Sequence, residues 1–250
     1  QSVVGSAAWN RLFDETLANL EFVVDRKTLS LESTLNLLTD HDRTKREKSA
    51  KAISKTLSKN ISLFSRITNT LAKEKAVEDK WRKFPDPQFS RHLSNDVEPK
   101  VIEALRNAVV DSYGSISHRY YKLKAKWLNL KKLEIWDRNA PLPEHNNRLI
   151  NWEEAENIVT SAYHDFDPRI AELTKPFFKE GWIDAEVKPG KAPGAFAHPT
   201  VTNVHPYILL NYLGKPRDVM TLAHELGHGV HQLLAARQGE ILSNTPLTLA

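Results

Sequence analysis

The first 84 residues are patterned in threes and fours. Trp9, Leu12, Phe13, Leu17 and Leu20 recur at helical spacing, which predicts a helix over Ala7–Phe22. A short helix follows Ser30. Asp42 is placed to cap a long one running to about Leu71, carried by Ala50, Ile53, Leu57, Ile61, Phe64, Ile67 and Leu71. No proline precedes Pro85 and the one glycine before it is Gly5, so this segment is expected to be almost wholly helical. Pro85 and Pro87 mark a break. Helical patterning resumes from Glu98 to about Leu130, with an interruption near Tyr113–Gly114. Asp137–Leu149, with Pro141 and Pro143, reads as irregular, and two more helices are predicted near Trp152–His164 and Pro168–Glu180.

The texture changes at Trp182. Seven of the nine glycines lie from Gly181 onward. Ile183–Val187, Gly194–Ala197 and Pro206–Tyr212 read as short strands between Pro, Gly and Asn turns. Arg217–Arg237 returns to helical spacing, and Pro216 suits its first turn. The fold class expected is mainly α, with a small β-sheet beside the last helix.

Composition narrows the chemistry. There is no cysteine, which excludes thiol catalysis, disulfides and cysteine-ligated metals. Such a composition is compatible with a reducing compartment, and a cytoplasmic location is expected. No apolar run approaches the roughly 20 residues a membrane helix needs, so no membrane partner is expected. The N-terminus has no basic segment leading into an apolar one, so no signal peptide is read there. The chain begins with Gln1 rather than methionine and reads as a piece of something longer.

Net charge is +4, unevenly spread. Between His41 and Lys83 stand 13 Lys/Arg and 5 Asp/Glu, a local charge of +8, so the rest of the chain sums to −4. A basic stretch can bind nucleic acid or anionic lipid. However, Lys48, Lys51, Lys55 and Lys59 share one helical stripe, opposite Ile53, Leu57, Ile61 and Phe64. That pattern reads as a solvated face, and no nucleic acid is expected as a partner.

The chemistry sits in the last helix. His224-Glu225-Leu226-Gly227-His228 is an H-E-x-x-H motif. Four residues make just over one turn, so both imidazoles leave one face and can grip one Zn²⁺. Glu225, one residue along, reaches past the metal toward its bound water, as a general base must. At 100° per residue, Val219, Leu222, Leu226, Val230 and Leu233 fall on the opposite side, which predicts a core face. His231 shares the reactive face and is a candidate for substrate contact. His198 and His205 lie in the strand region just upstream and are weaker candidates. His41, His92, His118, His145 and His164 have no partner spacing and are read as solvated or structural. Nucleophile elbows, phosphate loops and dinucleotide fingerprints are absent.

The wider run resembles the oligoendopeptidase F family, relatives of thimet oligopeptidase and neurolysin. It comprises Gly194-Ala-Phe, His205-Pro-Tyr-Ile-Leu-Leu-Asn-Tyr212, Gly214-Lys-Pro-Arg-Asp218 and Val219 through His231. Tyr121–Leu130, Trp136–Pro143 and Trp152–Pro193 fit the same family, and nearly the whole chain is covered. The resemblance implies a zincin-like, mostly helical metallopeptidase that cleaves oligopeptides in a narrow channel. Residues 1–40 would be the end of an N-terminal helical region, and 41–250 the first part of the catalytic domain. His224 and His228 match zinc ligands and Glu225 the catalytic base. The segments holding Gly194, Phe196, His205, Tyr207 and Tyr212 match elements lining the cleft, whose edge strand could hold a peptide by backbone hydrogen bonds. The family's third ligand is a glutamate a little over 20 residues beyond the second histidine, and its oxyanion-stabilising histidine and tyrosine lie further on. The rest of the catalytic domain, beyond Ala250, would therefore be a required partner. Without it, the rival reading is a non-catalytic helical binding or scaffold fragment with structural histidines.

Overall fold

The computed structural model describes residues 4–143 and 148–249. The chain divides into two compact units, 1–145 and 146–250. It is mainly α, as expected, with the expected small sheet in the second unit and a further two-stranded one in the first. No helix among the described residues is long and apolar enough to cross a membrane.

The first unit opens with α1 (Ser6–Asn19), a hairpin of β1 (Phe22–Val24) and β2 (Lys27–Leu29), and α2 (Leu31–Leu37). The hairpin corrects the expectation of an all-helical start. Phe22 pairs with Leu29, Val23 with Thr28 and Val24 with Lys27. The two-residue turn places both Asp25 and Arg26 at positive φ, 48° and 67°, as a type I′ turn requires. Glycine usually signals that turn; here an aspartate and an arginine adopt it.

The predicted long helix is two. α3 (Arg43–Lys59) starts at Asp42, whose carboxylate accepts the Thr44 N–H, and Asn60 separates it from α4 (Ile61–Arg82). Ile61, expected on the apolar face of that helix, is exposed. The buried stripe of α3 is Arg46, Ser49 and Ala52, and Lys48, Lys51, Lys55 and Lys59 face solvent. Two of these lysines are in ion pairs, Lys48 with Asp25 and Lys51 with Glu47. α4 outruns the prediction and stops at Lys83, in the left-handed conformation at φ 56°. The short α5 (Phe89–Ser94), α6 (Pro99–Ser112) and α7 (Ser117–Trp127) follow, the last two meeting at the predicted interruption.

What α3 buries is a charge. Asp137, at the end of a 3₁₀ turn over Ile135–Asp137, is fully buried. Arg43 donates to it through Nε (3.0 Å) and Nη2 (2.9 Å), Arg46 through Nη2 (3.0 Å), and the Glu134 N–H adds a fourth bond (3.0 Å). Arg46 spends its other donors on the Asp40, His41 and Trp136 carbonyls. Burial alone would push the Asp137 carboxyl up. The Arg43 bonds, the Glu134 amide and Arg46 outweigh it and hold the carboxyl at about 2. Nearby, burial and then Arg46 push the Lys124 ammonium down, while its Nζ donates to the Arg138 carbonyl (2.6 Å).

The second unit holds α8 (Trp152–Phe166), α9 (Pro168–Lys179), β3 (Ile183–Asp184), β4 (Phe196–His198), β5 (Tyr207–Leu209) and α10 (Pro216–Ala236). The strands lie in the predicted places but are shorter. β5 is central, parallel to β3 and antiparallel to β4, so β4 is an edge. Two- and three-residue strands need outside support, and Lys191 supplies part of it. Its nearly buried ammonium donates to the Asp184, Glu186 and Leu210 carbonyls at 2.8–3.0 Å. The core combines Ala155 and Val159 of α8, Phe177 of α9, Ile208 and Leu210, and Val219, Leu222 and Leu226 of α10.

Two glycines let α10 come close. A Cβ at Gly229 would stand 2.7 Å from the Phe177 ring, and one at Gly227 3.0 Å from the Tyr163 hydroxyl. That hydroxyl, whose pKa burial raises, donates to the Ala223 carbonyl at 2.7 Å.

Stability measurements test these contacts in three ways. Replacing Asp137 with alanine strands the buried Arg46 charge and should cost about 3–5 kcal/mol in urea unfolding of the first unit. Because the folded carboxyl titrates near 2, below its ordinary value, its contribution is complete above about pH 5. It should fade as pH falls toward 2, a loss of roughly 2–3 kcal/mol. Gly229→Ala gains up to about 1 kcal/mol of helix propensity but overpacks a buried ring. The net outcome expected is a lower unfolding midpoint, whereas alanine at Gly114, which is exposed, has no positive φ and has no atom near the added Cβ, would leave core packing untouched.

Candidate active site

α10 is built to be two-sided. Pro216 opens it, and the Asp218 carboxylate accepts the Leu213 and Lys215 N–H groups at 2.9 Å, closing its first turn. Val219, Leu222, Leu226 and Val230 are buried along one face, as the spacing predicted. The opposite face carries His224, His228 and His231.

His224 and His228 point at one another. Their Nε2 atoms are 3.0 Å apart and their rings stand at 88°. At that separation the two Nε2 atoms share one small volume of the site. Two imidazole nitrogens on a tetrahedral Zn²⁺ would stand about 3.3 Å apart, given Zn–N bonds of roughly 2.0–2.1 Å. The pair therefore fits two corners of a zinc site. Among the described residues no group of three or more His, Cys, Asp or Glu could hold an ion, so the pair is a two-donor set.

Glu225 lies beside it, 8% exposed. It lines a cleft of about 600 Å³ with His228, His231 and Gln232 of α10. Ala195, Phe196 and Ala197 of the β4 region form the facing wall, and Pro199–Thr202 continue it. The carboxylate makes no hydrogen bond or ion pair with a described residue, which leaves its oxygens available to whatever enters.

The loop after β4 is held under strain. Thr200, β-branched, sits at φ 60°. Its N–H donates to His198 Nδ1 (3.0 Å), and its hydroxyl lies within reach of the Pro199, Val204 and His205 carbonyls (2.6–3.2 Å). Thr202 reaches across the cleft, its hydroxyl and N–H both on the Glu240 carboxylate.

The structure brings Glu225, His228, His231 and Phe196 to one cleft, with His224 joined through His228. The other expected residues are placed differently. His205 stacks on Trp182 (3.9 Å, 5°) and touches Tyr207 at the start of β5. Tyr212 packs edge-on against Trp152 and donates its hydroxyl to the Ile150 carbonyl (2.9 Å), tying the strand region to the start of α8. Gly194, at φ 82°, accepts an Asn211 Nδ2–H at 2.9 Å, a turn conformation suited to glycine. None of these four lines the cleft. Among the remaining histidines, His92 is buried, His118 contacts Tyr113, and His145 lies outside the described residues. Sequence reading missed Gln232 and Glu240. Gln232 had a signal, since it follows His228 by the same four-residue step that separates His224 from His228; Glu240 had none.

The chain has recognisable relatives among known proteins. The chain is 23% identical to oligopeptidase PepF of Bacillus subtilis over 207 residues, 83% of this chain and 31% of that protein. It is 32% identical to an oligoendopeptidase F homolog of Borreliella burgdorferi over 160 residues, 63% of this chain and 27% of that protein. The fold matches a solved structure of PZ peptidase A with an inhibitor at a TM-score of 0.82 and 17% identity, covering 90% of this chain and 41% of that one. The chain thus spans about a third of the length of the curated relatives it matches. The sequence profile of Peptidase family M3 matches residues 36–250, and the chain belongs to that family.

Proposed function

We propose that the chain carries the metal-binding helix and cleft wall of a zinc-dependent endopeptidase acting on oligopeptides. The observation that carries this reading is the convergence of His224 and His228 Nε2 beside a carboxylate that faces an open cleft. His224 and His228 would hold the ion. When bound, zinc supplies Lewis acidity, lowering the pKa of water and polarising the scissile carbonyl. Glu225 takes the proton from the attacking water at its carboxylate and returns it to the departing amine nitrogen, so its net charge is unchanged over a cycle.

The edge strand supports a peptide substrate. β4 pairs with β5 on one side only, and its other edge runs along the cleft. An extended chain can add there as a further strand, held by main-chain bonds that do not depend on its side chains. Names of the relatives agree with this substrate class, since two of them are called oligopeptidase and oligoendopeptidase.

A second reading rests on the two-donor set. Catalytic zinc sites use three protein ligands, so the 250 residues alone are expected to bind zinc weakly and to turn over little or no peptide. Metal analysis after dialysis and a quenched-peptide assay would check both. In the native protein at its natural length, Glu225→Gln should lower turnover at least about a hundredfold and leave the zinc content at the parent value. Parent-level cleavage by that variant would overturn the assignment of the base. His228→Ala should lose the zinc itself.

A further inference from the structure

Gln232 stands one turn beyond His228 on the reactive side of α10 and lines the same cleft. Its side chain is half used. Nε2 donates to the Ala197 carbonyl of β4 at 3.2 Å, while Oε1 is buried and has no hydrogen-bond partner among the described residues. Exchanging the two ends of the amide does not help, because a carbonyl oxygen can only accept and must face the nitrogen. A buried acceptor without a donor is costly and therefore uncommon in folded proteins.

The register of β4 shows what lies opposite. Ala197 pairs with Ile208, and the Ile208 N–H is directed to the Trp182 carbonyl on the β3 side. In an antiparallel ladder, the backbone groups of two facing residues either both point inward or both point outward. Ala197 therefore turns its N–H and C=O to the open edge of β4, the edge along which a peptide would add. Gln232 already meets that edge with one amide N–H, and its carbonyl is left over. The missing donor is of the kind an extended peptide carries at every residue except proline.

We propose that Gln232 is a substrate-positioning residue: its Nε2 holds Ala197 and the β4 edge, and its Oε1, which a small turn of the amide brings to the cleft, accepts one backbone N–H of the bound peptide. This rests on the oligopeptidase reading above and deepens it. The ligand feature recognised is a main-chain amide at one fixed position, whatever its side chain. Peptides with proline or an N-methylated residue at that position lose the bond.

The test is a cycle between enzyme and substrate in the zinc-loaded native protein at its natural length. A peptide series is N-methylated at one residue at a time, and kcat and KM are measured separately. In the parent, methylation at one position should cost about tenfold in kcat/KM, mostly through KM. Gln232→Met keeps the length and packing but removes both polar atoms. It should show the same loss with the plain peptide, and methylation at that position should then have no further effect. A merely structural role would lower activity equally across the series. Should Gln232→Met fail to fold, Gln232→Glu retains an acceptor oxygen and should preserve the position-specific penalty. An unchanged methylation pattern in Gln232→Met, or no such position in the Glu variant, overturns the proposal while leaving the peptidase reading in place. If the parent neither cleaves nor binds any peptide of the series, in calorimetry on the Glu225→Gln variant, both readings fall together.

Discussion

The second unit depends on the rotation of α10 about its own axis. A single helix must bury Val219, Leu222, Leu226 and Val230 and present His224, Glu225 and His228 to a cleft. With 100° between successive residues, a turn of the helix by even one position would bury an imidazole and expose a leucine. Burial of each large apolar side chain contributes roughly 1.5–3 kcal/mol, so the apolar stripe alone gives the helix a strongly preferred orientation. The close approaches sharpen it. Phe177 fits against Gly229, and the Tyr163 hydroxyl bonds to the carbonyl just before His224. Neither contact touches the cleft, yet both help determine where the histidines point.

Much of this was legible in the sequence because α10 is read twice over, by its apolar stripe and by a spacing of reactive residues that fits one face. The helices around it are also legible, since proline, glycine and capping residues bound them clearly. What escaped did so for physical reasons. The β1–β2 hairpin turns on Asp25 and Arg26, residues that do not announce positive φ, so a rule based on glycine passed over it. The division of α3 from α4 at Asn60 interrupts no apolar periodicity, so nothing in the spacing signals it.

Buried polar groups were the least legible. A periodicity count treats Arg46 and Asp137 as surface positions, and only a contact between residues about 90 apart in sequence makes them interior. Gln232 shows the same limitation near the site. Its place on the reactive face follows from spacing, but the unmatched oxygen exists because of the register of β4 against β5, which no local pattern encodes.

Lys191 carries a consequence of a different sort. Its ammonium is spent on three carbonyls at the ends of two neighbouring strands of a sheet whose strands are only two or three residues long, and its side chain is 6% exposed. Amine-directed labelling of the folded protein would therefore modify the neighbouring, solvent-facing Lys188 and pass over Lys191. Only a molecule whose sheet had already come apart would take up the label there, which makes this one lysine a chemical reporter of the integrity of the cleft wall.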